Sequence, residues 1–196
     1  MQMPRPSLKA QRTEEILDAV ERCVIRDGVN GATLERIGEE AGMQRSLLRH
    51  NVGNRETLIE AFLNRFFEKS NKEVFQMLEY LPKINRVSTL LDFLFDEKYA
   101  NKKLSLVALA LTTAAATNDS IRSQLSEWNN NFIYLIAEEL QRSFSKNTSN
   151  ECHVVAIGVV GIYFNSESMC SLGSSDNIRN GSKLAAHRLI LSLDNQ

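Results

Sequence analysis

The chain is poor in residues that interrupt helices and in residues that staple small folds. Its 196 residues include 3 prolines, 9 glycines and 3 cysteines. So few breakers leave room for long helices joined by short turns, and exclude a Pro/Gly-rich low-complexity protein. Cys23, Cys152 and Cys170 are odd in number and widely spaced, with no CxxC pair and no Cys/His cluster. That excludes a disulfide framework and a zinc ribbon. Each cysteine sits in an apolar helical context and reads as a small buried hydrophobe, with a redox-sensing thiol as the alternative. No metal and no cofactor are expected. The chain also lacks an excess of positive charge: the net charge is −1, so any binding of nucleic acid must rest on local clusters. The longest apolar run, 154–164, falls short of the ~20 residues that cross a bilayer. Residues 1–11 carry charge but no apolar core, so no signal peptide is expected. A cytoplasmic, non-membrane protein follows. Catalytic patterns are missing as well. There is no HExxH, no GxSxG and no phosphate-binding glycine loop. His50, His153 and His187 fall in separate helices, and the pairs Glu39-Glu40 and Glu138-Glu139 read as solvated charge. No enzyme is expected.

What is present is helical periodicity from end to end. The hydrophobic share of 43% and charged share of 24% are those of a globular protein. Ile16, Leu17, Val20, Cys23 and Val24 repeat at helical spacing over 10–27, and Gly28 follows as a C-cap. A second, short helix is expected over 33–41, opened by the Thr33 hydroxyl and stopped by Gly42. A third is expected over 44–51, with Leu47 and Leu48 inward and Arg45, Ser46, Arg49 and His50 outward. Helix, glycine turn and second helix form a helix-turn-helix, whose second helix can enter the major groove of DNA. Two acid-free basic stretches accompany it: 1–12 with Arg5, Lys9 and Arg12, and 44–55 with Arg45, Arg49 and Arg55. Pro4 and Pro6 make residues 1–9 a loose arm, which either tracks phosphate or is a tail without a role. Asn54 is placed to cap a long helix over 55–81. Beyond Pro82, helices are expected over 84–99, 104–117, 120–144, 151–171 and 177–193, with 145–150 as a loop. The fold class is all-α, about nine helices in total: a three-helix head and a helical body. The expected domains are 1–54, with packing that extends to about 67, and 55–196.

The segments RTEEILDAVERCVIRDGVNGATLERIGEEAGMQRSLLRH and NRETLIEAF, within the first third of the chain, resemble the DNA-binding region of the TetR-type bacterial transcriptional regulators. The resemblance rests on a set of features in order: an amphipathic first helix ended by Gly28, Thr33 opening the second, the Ile37-Gly38 pair within it, and Ala41-Gly42 at the turn. The chain departs from the family's common pattern at Gln44, Arg49, Asn51 and Val52, where serine, tyrosine, histidine and phenylalanine often stand. The resemblance implies a sequence-specific regulator, a repressor released from its operator by a small molecule. It implies a homodimer through the last two helices, bound to a palindromic double-stranded operator. The residues expected at DNA are Thr33, Gln44, Arg45, Ser46, Arg49, His50, Asn51 and Arg55, with Arg55 matching the family's phosphate anchor. The family often holds its effector among the middle helices. The polar and aromatic interruptions there give Phe95, Tyr99, Thr113, Trp128, Asn131, Tyr134 and Tyr163 as expected pocket residues. The competing expectation is a DNA-binding protein of the same fold whose body takes a protein partner and no small effector.

Overall fold

The computed structural model describes residues 8–170, 173 and 175–194. The arm with Arg5, and its prolines, lie outside the described residues at 1–7. Among the described residues the secondary structure is helical throughout, with nine α-helices and one 3-10 turn. The chain forms two compact units. One comprises the described residues as far as Lys69 together with Val107–Arg122; the other comprises Ser70–Leu106 together with the described residues from Ser123 on.

In the first unit, α1 (Leu8–Gly31) buries Ile16, Val20, Cys23 and Val24 completely. Its regular course ends where expected, at Gly28, whose φ of 72° and ψ of 170° are closed to most side chains. The chain then turns once more before α2 (Leu34–Ala41). Thr33 caps α2, its hydroxyl accepting the Arg36 N–H at 3.3 Å. Gly42 ends α2 in the left-handed region, and the Met43 N–H donates to the Gly38 carbonyl at 2.8 Å. That turn is tight enough to explain Gly38: a Cβ there would stand 2.9 Å from the Met43 carbonyl oxygen. The next helix, α3, runs Arg45–Val52. Leu48 is fully buried, but Leu47 is exposed, contrary to expectation. Adjacent helical residues point about 100° apart, and so short a helix presents one leucine to the core, not two.

Two sets of charges fasten these helices. Glu40 of α2 receives Arg22 Nε at 2.6 Å and Arg26 Nη1 at 2.8 Å from α1. Hydrogen bonds from Arg26 first, then Arg22, hold the Glu40 carboxyl below its usual range. From α4 (Arg55–Glu79), Arg65 reaches back to Glu14 at 3.1 Å and Asp18 at 2.8 Å. The α4 N-terminus is capped by Asn54, whose Oδ1 accepts the Thr57 N–H at 2.8 Å.

The second unit packs α5 (Arg86–Phe95) against α8 (Ser149–Cys170) and α9 (Ser175–Leu191). A 3-10 turn (Glu97–Tyr99) leads to α6 (Lys102–Ala115), and α7 runs Asp119–Ser143; α4, α6 and α7 contribute residues to both units. Leu90, Leu91, Ile136, Leu140, Ala156, Val159 and Ile190 form the centre of its core. Residues 145–150 read as a loop, yet α8 starts inside them. Thr148 and Glu151 make a reciprocal capping box: the carboxylate accepts the Thr148 N–H at 2.7 Å, and the Thr148 hydroxyl accepts the Glu151 N–H at 3.3 Å. Gly158 lets α9 close on α8, since a Cβ there would meet Leu189 Cδ2 at 2.5 Å. Glu139, read as solvated, is buried. Arg86 Nε and Nη2 bond one of its oxygens at 2.9 and 2.7 Å, and Arg142 pairs with the other. A buried carboxylate persists because it is matched in this way. Cys23 and Cys152 are buried, and burial pushes both thiols up.

Gly38→Ala is expected to destabilise the first unit by about 1–3 kcal/mol in chemical denaturation, because the clash is with backbone that cannot rotate away. An unchanged midpoint would show that the turn yields.

Candidate nucleic-acid interface and ligand cavity

The exposed side of α3 is built by default from what its core face leaves over. Gln44, Arg45, Ser46, Arg49 and His50 are all exposed, and α3 contains no acid. Leu47 joins them on the surface. An apolar side chain there can touch a thymine methyl. The signal for it was the Leu47-Leu48 doublet, since neighbours on one helix cannot share a face.

The remaining expected residues carry structural tasks. Arg45 is ion-paired to Glu35 of α2, both exposed. The Glu35 carboxyl is held low first by its own backbone N–H, with the Arg45 charge and the Thr33 hydroxyl adding to it. Asn51 is half-buried and its Nδ2 donates to the Leu47 carbonyl at 2.8 Å. Arg55, also half-buried, donates Nε to the Ala32 carbonyl at 3.0 Å and Nη2 to the Val29 carbonyl at 2.5 Å. Its guanidinium thus fixes the segment that leads into α2, a use that its place in the sequence did not suggest.

The second unit contains a cavity of about 610 Å³. Its wall includes the rings of Phe93, Tyr99, Trp128, Phe132, Tyr163 and Phe164, with Tyr80 at its exposed edge. They pack against one another, Phe93 on Tyr99 at 4.5 Å, Trp128 on Phe164 at 5.6 Å and Phe132 on Tyr163 at 5.9 Å between centroids. Trp128 Nε1 donates to Ser70 Oγ at 2.9 Å, which satisfies the one polar atom of the indole. Glu73 enters the wall from α4, its Oε2 accepting Asn101 Nδ2 at 3.1 Å. Asn101 Oδ1 accepts the Leu104 N–H at 3.1 Å, so the residue that caps α6 also holds Glu73. Burial, with the nearby Glu167 charge second, pushes the Tyr163 phenol up, so it stays a neutral donor.

Of the seven expected pocket residues, Tyr99, Trp128 and Tyr163 line this cavity. Phe95 lies behind the wall, buried and edge-on to Tyr163 at 6.1 Å. Asn131 is half-buried and outside the wall. Tyr134 is 55% exposed, because it lies two positions beyond the inward-facing Phe132 and so roughly on the opposite side of α7. Thr113 belongs to the first unit and is exposed, its hydroxyl returned to the Leu109 carbonyl at 3.2 Å. Glu73, Asn101, Phe132 and Phe164 were missed; each reads from the sequence as an ordinary surface or core position. Among the described residues no group of His, Cys, Asp and Glu is placed to hold a metal ion, and no helix is long and apolar enough to cross a membrane.

No protein-family model matches the chain. It is similar to the HTH-type transcriptional regulator BetI of Vibrio vulnificus, with 21% identity over 163 residues, which is 82% of this chain and 81% of that protein. It is similar to the HTH-type transcriptional repressor AcnR of Corynebacterium diphtheriae, with 25% identity over 134 residues, 68% of this chain and 66% of the relative. The crystal structure of a TetR transcription regulator from Haloarcula marismortui superposes with a TM-score of 0.75, covering 93% of this chain and 97% of the other at 17% identity. The chain thus has the all-α fold of the TetR transcription regulators, and it is similar in sequence to helix-turn-helix regulators of transcription.

Proposed function

We propose that the chain is a dimeric, sequence-specific regulator of transcription in the cytoplasm, a repressor that leaves a palindromic operator when a small molecule fills the cavity. The observation that carries the DNA part is the face of α3, basic, acid-free and exposed, held on a buried helix-turn-helix frame. In this reading Arg45, Ser46, Leu47, Arg49 and His50 meet base edges, while Thr33, Gln44 and Asn51 lie near the backbone. Arg55 sets docking from within, by fixing the segment before α2, and adds its charge to the phosphate field.

A two-fold partner is supported by the apolar surface of α8 and α9. Val154, Ile157, Leu184 and Leu191 are all exposed. Gly161 has nothing within 4 Å of its Cβ position, which leaves room for a second helix to approach. Apolar exposure on neighbouring helices suits an interface between copies. The cavity favours a small effector over a protein partner for the body, since it is concave, mostly apolar and carries few polar groups. α4 supplies Arg55 to the head and Glu73 to the cavity, which gives an effector a helix to act on.

The operator is obtained by selecting genomic fragments with the purified protein. On it, Arg49→Ala is expected to cost about 1–3 kcal/mol, roughly 5- to 150-fold in affinity, and to relax base preference at one position per half-site. An equal loss on every sequence would move Arg49 from base to phosphate. Arg55→Ala is expected to lower the stability of the head by about 1–3 kcal/mol, with faster amide exchange over 29–33, as well as weakening DNA binding. If binding falls while stability and exchange are unchanged, the guanidinium serves DNA alone. Ile157→Glu is expected to convert the dimer to monomers in sedimentation and to abolish tight operator binding; a dimer that survives it would place the interface elsewhere.

A further inference from the structure

No residue of α3 is acidic, but an acid of α2 reaches its first residue. Glu35, in the first turn of α2, is ion-paired to Nη1 of Arg45, which opens α3, so the pair spans the helix-turn-helix. Both side chains are more than half exposed. Glu35 is itself anchored. Its own backbone N–H holds the carboxyl low, with the Arg45 charge and the hydroxyl of the capping Thr33 adding to it, so it is an anion at neutral pH.

An exposed ion pair adds little to stability, so its place in the molecule matters more than its strength. An arginine at the first position of a helix faces the positive end of the dipole, and Gln44 supplies no side-chain cap there. Left alone, such a guanidinium turns to the nearest anion. Beside DNA that anion is a phosphate, whatever the sequence. Glu35 fills the place of that phosphate. It takes Nη1 and leaves Nε and Nη2, which have no partner among the described residues. Two N–H groups on one edge of a guanidinium match O6 and N7 of guanine. The carboxylate also repels phosphate, which weakens every complex that gains no base contact in return.

We propose that Glu35 is a specificity-determining residue of this interface, which withholds Arg45 from phosphate and turns its open edge to a guanine. The inference rests on the reading of α3 as the helix that reads DNA. Glu35 touches no base; it is a positioning residue that acts through Arg45. An acid in the head therefore lowers affinity for DNA in general and raises discrimination between sequences.

The test is fluorescence anisotropy over a salt series, with the selected operator and a scrambled duplex of the same length. Glu35→Gln is expected to tighten the scrambled duplex by roughly fivefold and to steepen its salt slope by about one phosphate contact. The operator is expected to change by less than about twofold, so the ratio of the two affinities falls. On an Arg45→Ala background, Glu35→Gln is expected to leave that ratio unaltered. Glu39→Gln removes the same charge from an exposed position one turn along α2 and is expected to leave the ratio within about twofold. Arg45→Lys keeps the charge and loses the fork, so it is expected to weaken the operator by about tenfold and to leave the scrambled duplex unchanged. A ratio untouched by Glu35→Gln, even with a lower melting temperature, overturns the proposal, as does an equal fall with Glu39→Gln. If the Glu35→Gln chain does not fold by circular dichroism, Arg45→Lys decides, and an equal effect on both duplexes overturns the proposal. A wild-type chain that prefers no sequence overturns the DNA-reading function itself. A wild-type chain that selects an operator, with a ratio indifferent to Glu35, overturns only the role of Glu35.

Discussion

The helix that the proposed function offers to DNA, α3, is eight residues long, and so is the helix that precedes it. Isolated helices of that length are marginal in water, so the position of α3 depends on what surrounds it. The chain meets this constraint by fastening the short helices to long ones. Leu48 and Ile37 are fully buried, α2 and α3 both pack against α1, and Glu40 ties α2 to two arginines of α1. Arg55 ties the segment ahead of α2 to the first residue of α4. The turn between α2 and α3 adds its own restraint, through a contact that only glycine permits at Gly38. Apart from the Arg45–Glu35 pair, little of this support passes through the exposed face of α3.

That division explains what the sequence disclosed. Features set by local rules were legible: the caps at Thr33 and Asn54, the stops at Gly28 and Gly42, and the apolar stripe of α1. Features set by tertiary partners were not. Leu47 and Leu48 look alike in sequence, and only the depth of the head core separates them. Glu139 looks like its neighbour Glu138, but Arg86, 53 positions away in the chain, holds it inside. The capping box at Thr148 and Glu151 was legible by its spacing, but the polar run around it masked it. For the cavity, a sequence shows which residues are aromatic and not which way they face. Three expected residues line it, while Tyr134 and Thr113 turned outward.

The second unit joins two kinds of surface. Gly158 is filled by Leu189 and closes α8 on α9, whereas Gly161, one turn on, stays open beside exposed Val154 and Ile157. One glycine therefore serves the fold, and the other is the one the proposed association would use. The cavity draws on different helices, with α4, α5 and α7 in its wall and only Tyr163 and Phe164 coming from α8. The exposed apolar residues Val154, Ile157, Leu184 and Leu191 are not among those that line the cavity.

The cap at Asn54 and the bonds of Arg55 make α4 a handle attached to the head at one end. Its 25 residues span about 37 Å at 1.5 Å per residue. A tilt of about 5° over that length displaces the far end by roughly 3 Å, close to the 3.4 Å rise of one base step. Side chains that must meet base edges within hydrogen-bonding distance do not tolerate such an error. In the proposed ligand-responsive regulator, leverage of this kind would need no unfolding or repacking, because a small angle at one end of a long helix amounts to a base step at the other.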